Sequence, residues 1–239
     1  PDLVRDVDVL CLDAGNTVIF LDHARLARLL APFGGGATAA ELIAHEGAAK
    51  RRQVNDTLVD VAWPSRGAPG ALGWGRMVGT IASLAGVSAE RLSLALDSLW
   101  REHVELNLWS LVPDGLLASL TAARRAGVRT VIVSNSEGML EGLFQRLGIR
   151  DGFDAIVDSG KVGVEKPDPR IFALALAPWG APPARALHLG DSYATDVLGA
   201  RAAGIRTALL DPYDHWDGLY PDVPRVASVT AVVDALLHR

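Results

Sequence analysis

Five residues carry side chains from which a reaction centre can be built: Asp13, Ser134, Lys166, Asp191 and Asp196. Carboxylates brought together repel one another unless a cation lies between them, and oxygen-only donors select a hard ion such as Mg²⁺. An ammonium beside them suits the transfer of an anionic group such as a phosphoryl. A serine hydroxyl can donate a hydrogen bond to that group, and a carboxylate can attack it and form a covalent intermediate. Lysine is scarce here: Lys50, Lys161 and Lys166 are the three lysines among 23 basic residues. In a chain that otherwise uses arginine, a lysine marks a place where a compact point charge is needed.

These residues matter only if the fold brings them together. Five short apolar or β-branched runs stand out: Val7–Asp13, Arg129–Asn135, Ala155–Ser159, Ala186–Asp191 and Arg206–Asp211. Most are continuous rather than alternating, the pattern of strands buried on both faces. From the second run on, helical spacing fills the gaps, over Gly115–Ala126, Glu137–Leu147, Pro169–Leu176 and Tyr193–Ala203. Gly127, Gly148 and Gly204 stand where helix-ending glycines belong. Strand–helix alternation predicts right-handed crossovers and a parallel sheet. In such sheets ligands bind beyond the carboxyl ends of the strands. Asp13, Ser134 and Asp191 stand at three such ends, and Lys166 follows the third strand in Gly163-Val164-Glu165-Lys166-Pro167.

The alternation breaks between the first two runs. Residues 22–111 show helical patterns near Asp22–Pro32, Ala37–Ala62, Trp74–Ala85 and Ser88–Leu108, with no convincing strand. A structureless connection of that length is foreign to a compact domain, so this stretch is predicted to be an inserted helical domain. Residues 1–21 and 112–239 then form the sheet domain. Within the insert, Trp63–Gly75 is rich in proline and glycine and predicts a loop.

Composition excludes several functions. The 239 residues are 49% hydrophobic, enough for a full core, and carry a formal net charge of -5 with no long run of one sign. Neither a nucleic-acid groove nor a membrane patch is expected, and no apolar stretch approaches the ~20 residues of a bilayer span. Asp2, Asp6, Asp8 and Asp13 make the start unlike a signal peptide. Cys11, the single cysteine, is read as a buried core residue. The expected setting is a reducing cytoplasm and the expected partner a small-molecule substrate.

With these residues in this order at these strand ends, the chain resembles the haloacid dehalogenase superfamily of hydrolases over nearly its whole length. The resemblance implies a Rossmann-like α/β core with an inserted all-helical cap, of the kind that closes over the site. It implies Asp13 as nucleophile and Mg²⁺ ligand, the Gly15 carbonyl as a further ligand, and Thr17 as support for the loop. Ser134 and Asn135 are expected to bind the transferred group and Lys166 to neutralise nucleophile and substrate. Asp191 is expected as the second metal carboxylate, with Asp196 as a direct or water-mediated partner of the metal.

One position departs from the pattern. Phosphatases of the superfamily have an aspartate two residues after the nucleophile, which protonates the leaving group and then activates water; here Gly15 stands there. Such help is worth ~10²- to 10⁴-fold in rate. The expectation is a hydrolase acting on a small phosphorylated metabolite, restricted to good leaving groups unless Asp22, His23 or the Trp63–Gly75 loop supplies the acid. The alternatives are an impaired relative that binds a metabolite or protein, or a 2-haloacid dehalogenase. The dehalogenase branch also lacks the second aspartate, but usually carries a bulky aromatic at the Gly15 position. His188 inside a strand is read as packed, His215 and Trp216 as surface, and Trp63, Trp74, Trp100 and Trp109 as mostly core of the insert.

Overall fold

A computed structural model describes residues 3 to 238; Asp2 and the terminal residues lie outside it. Six strands form one parallel sheet: β1 (Val9–Leu12), β4 (Arg129–Ser134), β5 (Ala155–Asp158), β6 (Ala186–Gly190), β7 (Arg206–Leu210) and β8 (Arg225–Val226). Their order is β5-β4-β1-β6-β7-β8. The continuous apolar runs have the expected cause: every residue of β1 and β6, and all of β4 after Arg129, is buried. β1 is central, pairing Leu12 with Ile132 of β4 and with Leu189 of β6. The chain fills one side of β1 and then crosses to the other, so the strand order reverses at β1, where such sheets bind ligands.

Helices cover the sheet: α5 (Leu116–Arg125), α6 (Leu140–Arg146), α7 (Ser159–Val162), α8 (Arg170–Leu176), α9 (Leu198–Ala202) and α10 (Val229–Leu237). Val9, Cys11, Val131, Val133, Ile171, Phe172 and Ala200 share one apolar cluster. Gly127, Gly148 and Gly204 take φ of +89°, +70° and +72°, left-handed conformations that end the helices before them. Tyr193–Val197 is a single π-helical turn leading into α9.

By its internal contacts the chain divides into two compact units, one from the residues up to Phe20 and from Leu111 on, the other Leu21–Ser110. The second contains α1 (His23–Leu30), α2 (Ala39–Val54), α3 (Ala71–Leu84) and α4 (Ala89–Glu105). A reciprocal cap between Thr38 and Glu41 starts α2. Trp63, Trp74 and Trp100 pack at ring distances of 5.0 to 5.6 Å within this unit's own core.

Three expectations need correction. The helical segment Ala37–Ala62 ends at Val54, because Asn55 caps it and Asp56 turns to φ +51°. The loop expected over Trp63–Gly75 gives way to α3 from Ala71, after Gly70 at φ +72°. A short strand β3 (Trp109–Leu111) pairs with β2 (Phe20–Leu21) where no strand was expected, since two or three residues carry no readable alternation. Among the described residues no helix is long and apolar enough to cross a membrane.

Candidate active site

The loop after β1 places the first carboxylate. The Asp13 N–H still donates to the Leu189 carbonyl of β6 at 2.9 Å, so the residue is held by the sheet. The chain then turns sharply. The N–H groups of Val18 and Ile19 both donate to the Ala14 carbonyl at 3.0 Å, and Asn16 takes φ +53°. Asn16 Nδ2 donates to Asp191 Oδ2 at 3.1 Å, tying the loop after β1 to the loop after β6.

Lys166 lies at the centre. Its ammonium is 2.6 Å from Asp13 Oδ1 and 2.6 Å from Asp196 Oδ1, and all three side chains are buried. Asp13, Asp191 and Asp196 offer carboxylate oxygens that lie within 4.8 Å of one another. Three carboxylates against one ammonium leave surplus negative charge in a buried place. Burial chiefly, with Asp196 and Asp191 adding to it and Lys166 opposing it, pushes the Asp13 carboxyl up to about 7. Burial alone would raise Asp196 too, but Lys166 and His188 hold it well below the carboxylate range. Burial likewise works against the Lys166 charge, and Asp13 and Asp196 overcome it, so the ammonium stays protonated. A cluster of oxygen donors with uncompensated charge fits Mg²⁺ on the chemistry of its donors.

The positions of the remaining expected residues differ in what they leave available. Ser134 is buried at the carboxyl end of β4. Thr17 Oγ1 is buried without a hydrogen-bond partner among the described residues. Asn135, expected on the transferred group, uses its amide elsewhere: Nδ2 donates to the Lys166 carbonyl at 2.8 Å and Oδ1 accepts from the Lys166 N–H at 2.7 Å. It grips the main chain of the lysine. Gly15 brings no side chain to the loop. Asp22 and His23, the alternative acids, are engaged within their own unit. Asp22 caps α1 through Arg25 N at 2.8 Å, and His23 pairs with the buried Glu46 at 2.9 Å.

Two residues contribute that sequence reasoning assigned no role. Trp216, expected at the surface, is buried, and its indole N–H donates to the Asp191 carbonyl at 2.9 Å. His215 is buried beside it. The loop folds inward because the Asp211 carboxylate accepts from the N–H groups of His215 and Trp216, at 2.7 and 3.0 Å. His188 is packed as expected, but its Nε2 also lies 2.8 Å from Asp196 Oδ1.

A parallel sheet of this strand order, with a buried lysine among three carboxylates at the ends of its strands, is an α/β fold with a site for a cation or an anionic group. The model of the haloacid dehalogenase-like hydrolase family matches residues 7–204, and the chain belongs to that family. It is 34% identical over 163 residues to haloacid dehalogenase-like hydrolase domain-containing protein 3 of Mus musculus, covering 67% of this chain and 64% of that protein. Against the phosphoserine phosphatase of Thermus thermophilus it is 33% identical over 153 residues, 63% of this chain and 57% of that one. The chain spans from half to just under two thirds of the mammalian relatives it matches. Among solved structures, the putative hydrolase YfnB of Bacillus subtilis, bound to magnesium, aligns with a TM-score of 0.67 at 18% identity over 96% of this chain and 98% of that one. Dehalogenases and a phosphatase of the same fold align at 17 to 19% identity, which shows the fold alone.

Proposed function

We propose that this hydrolase is Mg²⁺-dependent and removes the phosphoryl group of a small phosphorylated metabolite through an aspartyl intermediate on Asp13. The observation that carries the reading is the Lys166 ammonium seated 2.6 Å from both Asp13 and Asp196, with Asp191 beside them. The relationship to a phosphoserine phosphatase supports phosphoryl removal from a small molecule, while Gly15 favours better leaving groups than the serine hydroxyl.

Asp13 and Asp191, with the Gly15 carbonyl, would hold the ion. Bound there, Mg²⁺ supplies charge to offset the carboxylates and the phosphoryl oxygens. The Asp13 carboxylate attacks phosphorus, and the bond to the leaving oxygen breaks with its electron pair. Lys166 offsets the charge on nucleophile and phosphoryl group, and the Ser134 hydroxyl donates to a phosphoryl oxygen. Water then attacks the aspartyl phosphate at phosphorus, and the P–O bond to Asp13 breaks and restores the carboxylate. The proton released passes through solvent to the oxyanion that left, and inorganic phosphate departs. With Gly15 in place of an acid, the leaving oxygen departs unprotonated. Acyl and aryl phosphates are therefore the favoured substrates. The test is hydrolysis of p-nitrophenyl phosphate with Mg²⁺ and with EDTA. Turnover that needs Mg²⁺ and vanishes in Asp13→Asn supports the reading; undiminished activity in that variant rejects it.

Gly15 also favours a second reading, a family member that binds a metabolite or protein without turning it over. Binding of Mg²⁺ and a phosphate mimic, with no turnover of any activated ester, would establish it.

A further inference from the structure

We propose that His188 is a positioning residue that fixes the Lys166 ammonium against Asp13 by acting through Asp196. Alternate residues of one strand and its extension share a face, and on β6 and the turn beyond it residues 188, 190 and 192 all serve one carboxylate. His188 Nε2 lies 2.8 Å from Asp196 Oδ1. A carboxylate accepts only, so Nε2 carries the proton of that bond. At Gly190 a Cβ atom would fall 2.1 Å from Asp196 Cγ, so the glycine is the space the carboxylate occupies. The Ser192 N–H donates to Asp196 Oδ2 at 3.0 Å. The π-helical turn that begins at Tyr193 carries Asp196 back over the strand it follows.

Asp196 is thereby held on three sides, by an imidazole, a main-chain N–H and the Lys166 ammonium. Three donors engage its two oxygens, which assigns Asp196 to holding the lysine in place. The imidazole is fully buried and fixed by an edge-on contact with Phe172 at 4.9 Å between ring centres. Without it, the lysine on Oδ1 and the Ser192 N–H on Oδ2 are the remaining anchors, and the side of Oδ1 away from the lysine is left unsupported. The carboxylate can then tilt, and the ammonium with it, away from the place 2.6 Å from Asp13 Oδ1.

The chain's three lysines make the idea directly measurable. In protein labelled with ¹⁵N-lysine, a buried, hydrogen-bonded ammonium exchanges its protons slowly and gives its own NMR signal, assigned by its loss in Lys166→Arg. The variants are His188→Gln, which can still reach Asp196 with an amide N–H, and His188→Asn, one methylene too short. His188→Leu is the apolar control. The expected result is a Lys166 signal kept in His188→Gln and lost or shifted in His188→Asn and His188→Leu, with the Lys50 signal unchanged in all three. An unchanged Lys166 signal in His188→Asn, or equal loss in Asn and Gln, overturns the proposal.

The kinetic arm rests on the phosphohydrolase reading. There kcat on p-nitrophenyl phosphate should fall between about tenfold and about 10²-fold in His188→Asn, the scale of a misplaced catalytic group. The Mg²⁺ concentration for half activity should stay unchanged, and His188→Gln should recover most of kcat. A parallel rise in the Mg²⁺ requirement would overturn the separation of lysine from metal. The ammonium signal needs no turnover, so failure of the hydrolase reading does not obscure this test.

Discussion

At Gly15 the chain presents no proton donor, yet the main chain there is not in the left-handed region that demands glycine. An aspartate is thus compatible with the backbone, and Gly15→Asp asks what a carboxylate at this place does. On an alkyl phosphate, whose leaving group needs a proton, the variant should gain between about 10²- and 10⁴-fold, the usual worth of general acid–base help. On p-nitrophenyl phosphate the gain should be far smaller. Steady-state rates on the two substrates check this, and equal gains on both would show that the new carboxylate acts some other way. Gly190 is the opposite case. Its hydrogen leaves room for the Asp196 carboxyl, and a methyl group there meets Cγ at 2.1 Å. Gly190→Ala should destabilise the fold by about 1 to 3 kcal/mol, the range for overpacking a tight core, and displace Asp196 from Lys166. Denaturant unfolding reads the first effect and the Lys166 ammonium signal the second; a variant as stable as wild type would show that the strand gives way easily.

Elements explain which parts of this site the sequence disclosed. The positions of Asp13, Ser134 and Asp191 at strand ends were legible because each ends a continuous apolar run, and such runs make buried parallel strands whatever surrounds them. The grip of Asn135 on Lys166 was not legible, because its two bonds join residues 31 apart. Nor was the π-helical turn at Tyr193–Val197, whose periodicity passes for an α-helix. Trp216 was misplaced for a local reason. Its neighbours Asp214, His215 and Asp217 read as solvent-facing, while the deciding group is Asp211, which turns the main chain inward. An aspartate at a strand end followed by a tryptophan five residues on was the available signal. The loop thereby acquires a task, since the Trp216 indole N–H anchors the Asp191 turn. Trp216→Phe keeps most of the packing and removes that bond, at a cost of about 1 kcal/mol for one neutral hydrogen bond. The Mg²⁺ concentration for half-maximal activity should rise with kcat at saturating Mg²⁺ near wild type. A titration that overlays the wild-type curve would detach the loop from the metal.

Each of the two units has its own apolar core, and the candidate metal residues all belong to the sheet unit. A ligand that binds only the folded form of one unit stabilises that unit by mass action, by about 2.7 kcal/mol at a hundred times its dissociation constant. Saturating Mg²⁺ should therefore delay thermal unfolding of the sheet unit, and Asp13→Asn or Asp191→Asn should abolish the delay. The distribution of tryptophan lets the units be followed separately. Trp63, Trp74, Trp100 and Trp109 lie in the helical unit, while only Trp179 and Trp216 lie in the sheet unit. Fluorescence is weighted toward the insert, whereas circular dichroism reports both. If the units unfold independently, Mg²⁺ shifts part of the dichroism transition upward and leaves the main fluorescence transition in place. If both probes move together, the units unfold as one, and stability gained at Asp13 and Asp191 is shared with the tryptophan core of the insert.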